Sequence, residues 1–487
     1  MTDPHAASTE LAYLSLDELW GRMDARHLTS TQLVDTLLER IHALDDADTP
    51  THLNSVAALA HDARDVALER DDEWTKGLLR GPLHGIPVLI KDNIEAIGLP
   101  GLAGSTSLVA RPARDAPLVT RLRAAGAIIV GSTNLSQWAN IRSPRSTSGY
   151  SSSAGLVGNP WALDRSAGGS SSGSGAALAA GLTPVAVGTE TDGSITCPAS
   201  VNGVVGLKPT VGTVPTRFVV PISDSQDSPG PMARSVEDLA ILYGVLSATS
   251  AAPVHTPSFA VASNWRTANP ETDRLFDDVV VAMKQRGLHV SDREFAVPGE
   301  REQHDELTVM LAELVDNMST YLSQRPGEGV SSLADVIAYE DEHRDAEQVY
   351  FGHEFFTMAV DSGGKSGASY VEARARNLAW AIDTCLVPGL EGVDVTIAPA
   401  YGPSWKSDLA VGGHPGPASC ATMAPAIAGW PILCLPIGLV KDLPVGLAII
   451  GRPHSEWTLI EAARRIEALV AATSPLPRPF WKQPVRG

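Results

Sequence analysis

Apolar residues recur along the chain in two rhythms. Leu33, Val34, Leu37, Leu38, Ile41 and Leu44 follow three- and four-residue steps, which puts them on one face of a helix. Thr29-Ser-Thr-Gln32 just ahead of them is a capping box, and Ser15-Leu-Asp-Glu18 is another. Two amphipathic helices are therefore expected near the N-terminus, and their role is packing. Further on, the apolar runs become short and continuous. Ile86 to Ile90, Ala127 to Val130, Val185 to Val187, Val204 to Leu207, Val395 to Ile397, Ile432 to Leu435 and Val445 to Ile450 all read as strands. Their flanking Gly and Pro, and the lack of polar alternation, suit a sheet covered by helices on both faces. A closing helix is expected from Ser455 through Ile466 to Val470.

Two stretches break this rhythm. Residues 140–175 are dominated by Ser and Gly and could pass for a linker on composition. Residues 299–360 are charged and helical in character, with Leu333, Val336 and Ile337 interrupting acidic runs, and read as an inserted helical subdomain or lid. No linker separates two cores and no internal repeat is evident. The expectation is one α/β domain over 1–487, with a central mixed sheet flanked by helices. Its core would lie at about 80–240, the helical insertion at about 299–375, and the C-terminal strands at about 390–455.

Composition narrows the partners. In 487 residues, 37 Lys and Arg against 56 Asp and Glu leave a formal charge of −19. Such a surface repels phosphate backbones and anionic lipid, so nucleic acid and membrane are not expected partners. Four scattered cysteines without a CxxC fit a reducing compartment rather than a disulfide framework or a zinc site. Residues 1–15 have neither Lys nor Arg and no apolar stretch of a signal peptide. The long uncharged run Ala421 to Val440 carries Pro425, Pro431 and Pro436, so it reads as buried strand and loop. A cytoplasmic protein is expected. Only eight of the 37 basic residues are lysine, so a lysine in an apolar setting needs an explanation.

Lys91 is one such lysine, since it ends the strand-like Gly85-Ile-Pro-Val-Leu-Ile-Lys91. Burial disfavours its charge and would make it a base, unless it snorkels out to pair with Asp92. Ala167-Gly-Gly-Ser170-Ser-Ser-Gly-Ser-Gly175 runs straight into the helical Ala176-Ala-Leu-Ala-Ala, which a flexible linker would not do. Gly188-Thr-Glu-Thr-Asp-Gly193-Ser194 follows a strand and could present a nucleophile beside consecutive backbone N–H donors, although it could also be an ordinary turn.

Other motifs carry less. Gly169-Ser-Ser171-Ser-Gly173 matches the nucleophile elbow, but residues 159–165 before it do not read as the required strand. Ser362-Gly-Gly-Lys365 has the spacing of penicillin-recognising enzymes but falls in a Gly-rich loop, and Ala359 occupies the first Gly position of a P-loop. His343 and His353 read as solvated lid residues. The Asn134 and Asn317 sequons lack a secretory context.

Taken together and in this order, these elements resemble the amidase signature family of serine hydrolases. The core is Gly168-Gly-Ser170-Ser-Ser-Gly-Ser174 with Ser194 following 24 residues after Ser170, Lys91 upstream and Gly203-Val-Val-Gly-Leu-Lys-Pro-Thr210 downstream. Thr133-Asn-Leu-Ser-Gln-Trp-Ala-Asn140, Gly188 to Ser194, Ser225 to Met232, and Leu333 to Tyr339 with Tyr350-Phe-Gly352 are similar to the peptide amidase branch.

The resemblance implies Ser194 as nucleophile, Lys91 as base, and Ser170 as the hydroxyl between them, following Gly169 through a cis peptide bond. Backbone N–H groups of Thr191, Asp192, Gly193 and Ser194 would hold the oxyanion. Many family members have Gly where this chain has Asp192, so that carboxylate should point away. No cofactor and no metal are implied. Substrates would be carboxamides such as peptide C-terminal amides and anilides, or carbamates, since urethanases occur in the family. Trp138, Ala139, Asn140 and Ile141, with Arg217 and Phe218, are candidate pocket walls. The assembly would be a monomer or homodimer. The alternatives are the glutamine-hydrolysing component of an amidotransferase, which releases ammonia for a partner protein, and an inactive binding protein on the same fold.

Overall fold

A computed structural model describes residues 10–49, 51–108, 112–251, 255–325, 329–412, 418–473 and 476–479. The first nine residues, part of the segment read for a signal peptide, lie outside them. Both capping boxes form. Ser15 Oγ accepts the Glu18 N–H at the start of α1 (Leu16–Asp24), and Thr29 Oγ1 accepts that of Gln32 at the start of α2 (Ser30–Leu44). The apolar face of α2 is buried through Leu33, Val34, Leu37 and Ile41.

Two short two-stranded ribbons aside, eleven strands build one large sheet among the described residues. In chain order they are β1 (Val56–Leu59), β2 (Pro87–Lys91), β3 (Ile128–Thr133), β4 (Val185–Glu190), β5 (Val205–Lys208), β6 (Ser228–Ala233), β7 (Phe259–Ala262), β8 (Val290–Arg293), β9 (Val395–Pro399), β10 (Ile432–Val440) and β11 (Leu443–Gly451). Across the sheet the order is β1-β3-β2-β4-β6-β5-β10-β11-β9-β7-β8. The β3-β2-β4 and β9-β7-β8 runs are parallel and the other pairs antiparallel, so the sheet is mixed. Every residue of β2, β3, β4 and β9 is buried, which is why these strands are continuously apolar in sequence. The closing helix, Glu456–Thr473, packs on β10 and β11.

Four strands of the large sheet were not visible in the sequence. Polar Val290–Arg293 and short Val56–Leu59 lie at the two edges, where half-burial removes the need for an apolar run. Phe259–Ala262 is buried but only four residues long. Ser228–Ala233 carries Pro229 and Pro231 in the middle of the sheet, a place prolines normally avoid. Its ladder with β5 is confined to Met232 and Ala233, beyond both prolines, so no bond to β5 is lost. The run Ala421 to Val440 becomes a short helix, Met423–Ile427, and then β10. Among the described residues no helix is long and apolar enough to cross a membrane.

Between β8 and β9 the chain forms the helices Glu300–Gln324, Leu333–Glu342, Glu354–Asp361 and Ala368–Leu378. A second apolar cluster seats them on the main body: Leu314, Met318, Val336 and Phe356 pack with Ala103, Trp138, Val220 and Ile222. Beside it lies a buried polar anchor. Arg142, fully buried, sits 3.6 Å from Glu340 and 3.8 Å from Glu347, and donates to the carbonyls of Glu347 and Phe351 at 2.7 and 2.9 Å. The Glu347 carboxylate in turn accepts from the Thr106 N–H at 2.7 Å, Gln137 Nε2 at 2.6 Å and Ser152 Oγ at 2.7 Å.

Candidate active site

Lys91 is the last residue of β2, and the buried Val88, Leu89 and Ile90 hold it inside the protein. Its Nζ lies 2.7 Å from Ser170 Oγ, 2.8 Å from Thr189 Oγ1 and 3.2 Å from the Thr189 carbonyl. Burial pulls its pKa down to about 7, while the negative charges of Asp227 and Glu190 oppose the shift. A neutral amine keeps two N–H donors for the two Thr189 oxygens and has a lone pair left for the Ser170 proton. Thr189 is itself fixed by Asn93 Nδ2, which donates to its hydroxyl at 3.0 Å.

The Ser/Gly stretch is a packed turn. Ser170 follows a cis Gly169–Ser170 peptide bond, and the helix Ser172–Ala179 begins two residues later. Gly173 is required sterically, since a Cβ there would lie 2.2 Å from the Ser55 carbonyl oxygen and 2.5 Å from that of Asn134. Ser171 Oγ donates to the Thr189 carbonyl at 3.1 Å and accepts the Thr189 N–H at 3.2 Å.

Ser194 lies on the turn after β4, and its carbonyl accepts the Ser171 N–H at 3.0 Å, stitching the two serine turns together. The Ser194 side chain is 8% exposed and its hydroxyl has no hydrogen-bond partner among the described residues, Ser170 included. The N–H groups of Thr191, Asp192, Gly193 and Ser194 likewise have no acceptor among the described residues. Gly193 has φ +77°, which a side chain would resist, and a Cβ there would meet the Tyr401 hydroxyl at 2.6 Å. Consecutive free N–H groups on such a turn form a cradle for negative charge.

Acids surround this cradle. Glu190 Oε2 accepts the Ile195 and Thr196 N–H groups at 2.6 and 2.8 Å, capping the helix Thr196–Asn202. Burial pushes the Asp192 carboxyl up to about 6, against the Thr422 hydroxyl that stabilises its charge. Asp227 accepts the Thr191 hydroxyl at 2.6 Å, and burial raises it to about 6 as well. A second fully buried lysine, Lys208, is drawn down to about 8 by burial while Glu190 and Asp192 support its charge. Sequence reasoning gave Thr189, Asp227 and Lys208 no role. All three lie inside the quoted motifs, which was the available signal.

A cavity of about 390 Å³ opens beside the site, lined by Thr189, Thr191, Asp227 and Pro229 on one side and by Asn317, Thr320, Tyr321 and Gln324 of the inserted helix on another. Of the six proposed wall residues, Ala139, Arg217 and Phe218 line it. Trp138 and Ile141 line a neighbouring crevice of about 10 Å³. Trp138 is 2% exposed and its Nε1 donates to Glu340 at 2.9 Å, so it holds the insertion down. Asn140 lines neither space.

The lesser motifs resolve differently. Residues 162–166 do form a strand, contrary to the expectation from sequence, but in a two-stranded ribbon with Gly158–Asn159 outside the large sheet, and Ser171 is fully buried. Ser362 Oγ donates to the Ala359 carbonyl at 2.6 Å, whereas Lys365 pairs with Asp224 at 3.2 Å. His343 stacks on Tyr339 at 4.0 Å. His353 is not solvated as expected, being 11% exposed with Nδ1 3.0 Å from Glu340. Asn134 is fully buried and its Nδ2 donates to two carbonyls, so it cannot carry a glycan.

Comparison with known proteins gives the family and the fold. The amidase family model matches residues 32–460. The crystal structure of native peptide amidase from Stenotrophomonas maltophilia superposes with a TM-score of 0.89 at 36% identity, covering 98% of this chain and 99% of that one. Mandelamide hydrolase of Pseudomonas putida is 31% identical over 94% of this chain and 91% of its own. A glutamyl-tRNA(Gln) amidotransferase chain of Chloroflexus aurantiacus is 31% identical over 96% of this chain and 99% of its own.

Proposed function

The chain belongs to the amidase signature family and is an amide-hydrolysing enzyme, and from that premise we propose that it acts through Ser194, Ser170 and Lys91. The contact that carries this reading is the 2.7 Å approach of the buried Lys91 amine to Ser170 Oγ, beside a turn that offers Ser194 and four unengaged N–H groups. Neutral Lys91 takes the Ser170 proton and Ser170 takes that of Ser194, whose oxygen attacks the amide carbon. The N–H groups of Thr191 to Ser194 receive the charge that builds on the carbonyl oxygen, where losing one such donor costs about 10²–10³ in rate. The relay then returns a proton to the leaving nitrogen, and water hydrolyses the acyl-enzyme. The Ser170–Ser194 link is open in the resting site, so this step needs the Ser194 side chain to turn towards Ser170.

The likeness to peptide amidase supports carboxamides as substrates, with peptide C-terminal amides first and anilides beside them. Aryl carbamates present the same electrophile, a carbonyl bearing nitrogen. The test is a competition among a peptide C-terminal amide, an acyl anilide and an aryl carbamate at equal concentration, followed by mass spectrometry, with Ser194→Ala as the blank. Preferential loss of the peptide amide supports this order, and preferential loss of the carbamate reverses it. Turnover of all three by Ser194→Ala would remove Ser194 as nucleophile.

The amidotransferase relative gives a second reading, in which glutamine is the substrate and a partner protein takes the ammonia. Efficient turnover of bulky amides by a monomer or homodimer would count against it.

A further inference from the structure

Among the described residues four charged side chains line the cavity: Arg217, Asp224, Asp227 and Lys365. Three are already engaged. Lys365 Nζ lies 3.2 Å from both carboxylate oxygens of Asp224, so these two charges offset each other. Asp227 accepts the Thr191 hydroxyl at 2.6 Å and the Ile222 and Ser223 N–H groups at 2.7 and 3.0 Å.

Arg217 is different. It is exposed, and among the described residues it has neither an ion-pair nor a hydrogen-bond partner. Its contact is the Phe218 ring, whose centroid is 4.5 Å from the guanidinium carbon. A guanidinium stacked on a ring by its face keeps its N–H edge free, and that edge matches the two oxygens of a carboxylate.

The platform beneath it is fixed. Arg114 lies over the Phe218 ring at 3.5 Å, the Phe218 carbonyl accepts the Glu95 N–H at 3.0 Å, and Phe218 has φ +64°, a region bulky residues rarely enter. Residues held in such backbone geometry concentrate where a site is being shaped. An unengaged cation on a cavity wall also runs against the −19 charge of the whole chain.

We infer that Arg217 is a specificity-determining residue that binds a carboxylate on the acyl side of the substrate, so that acidic peptide amides are preferred over their neutral isosteres. The carboxylate belongs on the residue preceding the one that bears the scissile carbonyl. Asp227 beside Thr191 would repel an anion held closer to the oxyanion turn. This inference rests on the amide-hydrolase reading of Ser194, and its test is built to fail separately from that reading.

Acetyl-Glu-Leu-amide and acetyl-Gln-Leu-amide differ by one charge at almost constant shape. The wild-type enzyme is expected to favour the glutamyl substrate by about fivefold in kcat/KM, the scale of a solvent-exposed ion pair, and mainly through KM. The preference should shrink as salt rises, because an exposed pair is screened. It should vanish in Arg217→Gln. Calorimetric binding of both peptides to Ser194→Ala protein reads the same preference without turnover. Equal kcat/KM and equal Kd for the two peptides, or a preference that survives Arg217→Gln, would overturn the assignment and leave the hydrolase reading standing. A binding preference that depends on Arg217, with no hydrolysis of either peptide by wild type, would uphold the assignment and sink the reading of peptide amides as substrates.

Discussion

Burial sets the protonation of Lys91, and the acids around it moderate the effect. With its pKa drawn to about 7, the base is half neutral near neutrality. A group that must be deprotonated to work gives a rate that rises with pH through its pKa. The expected outcome is a kcat/KM that climbs between about pH 6 and 8 and then levels, and a profile falling across that range would contradict the relay. Lys91→Ala should remove most turnover while circular dichroism stays native. Asp227→Asn tests the tuning. Losing a negative charge that favours the ammonium lowers the Lys91 pKa further, so the acidic limb of the profile should move to lower pH. An unmoved limb would mean that Asp227 does not act on Lys91. The strand-end lysine and the two serine turns are each legible in the sequence, but their convergence is not, because Lys91 and Ser170 are 79 residues apart. Only the resemblance supplied it. The Thr189 and Asp227 contacts escaped for the same reason, since nothing local in a sequence says which hydroxyl a distant lysine will meet.

At the scale of elements, the inserted helices are held by opposites, an apolar cluster and a buried ionic knot. Glu347 takes hydrogen bonds from three separate segments and faces the fully buried Arg142. Without that carboxylate Arg142 would keep Glu340, but the Thr106 N–H, Gln137 Nε2 and Ser152 Oγ would lose their acceptor, and each buried donor left unsatisfied costs about 1–3 kcal/mol. Glu347→Ala should therefore lower the denaturation midpoint well beyond the effect of an exposed Glu→Ala such as Glu342→Ala. Equal effects would mean that the knot does not hold the insertion. The insertion was legible as a charged helical stretch, and its anchor was not. Trp138 read as a pocket wall from its place in the motif, whereas the indole N–H is turned to Glu340. The prolines of Ser228–Ala233 hid a central strand that is unmistakable only once its short ladder to β5 is seen.

For the whole molecule, a single sheet runs from one end of the strand order to the other, and the inserted helices share a cavity wall with it. We expect one cooperative unit. Activity and near-ultraviolet circular dichroism should disappear at the same denaturant concentration, and activity lost well before the core signal would show the insertion unfolding alone. The overall class of fold was legible because buried strands are continuously apolar. The strand order was not, since no local pattern says that β10 will insert beside β5.

That insertion has a consequence for how the protein is made. Strands β10 and β11 lie between the block β1–β6 and the block β7–β9, and both follow those blocks in the chain, so they leave the ribosome after them. Until β11 is synthesised, the β5 and β9 edges that the last two strands will cover stay open, and open edges invite pairing with other chains. The β5 border thus stands unmatched from residue 208 and the β9 border from residue 399, until the joining strands at 432–451 arrive. Chains stopped at Trp430 should accumulate as aggregates, whereas chains stopped just after Thr473 should remain in solution.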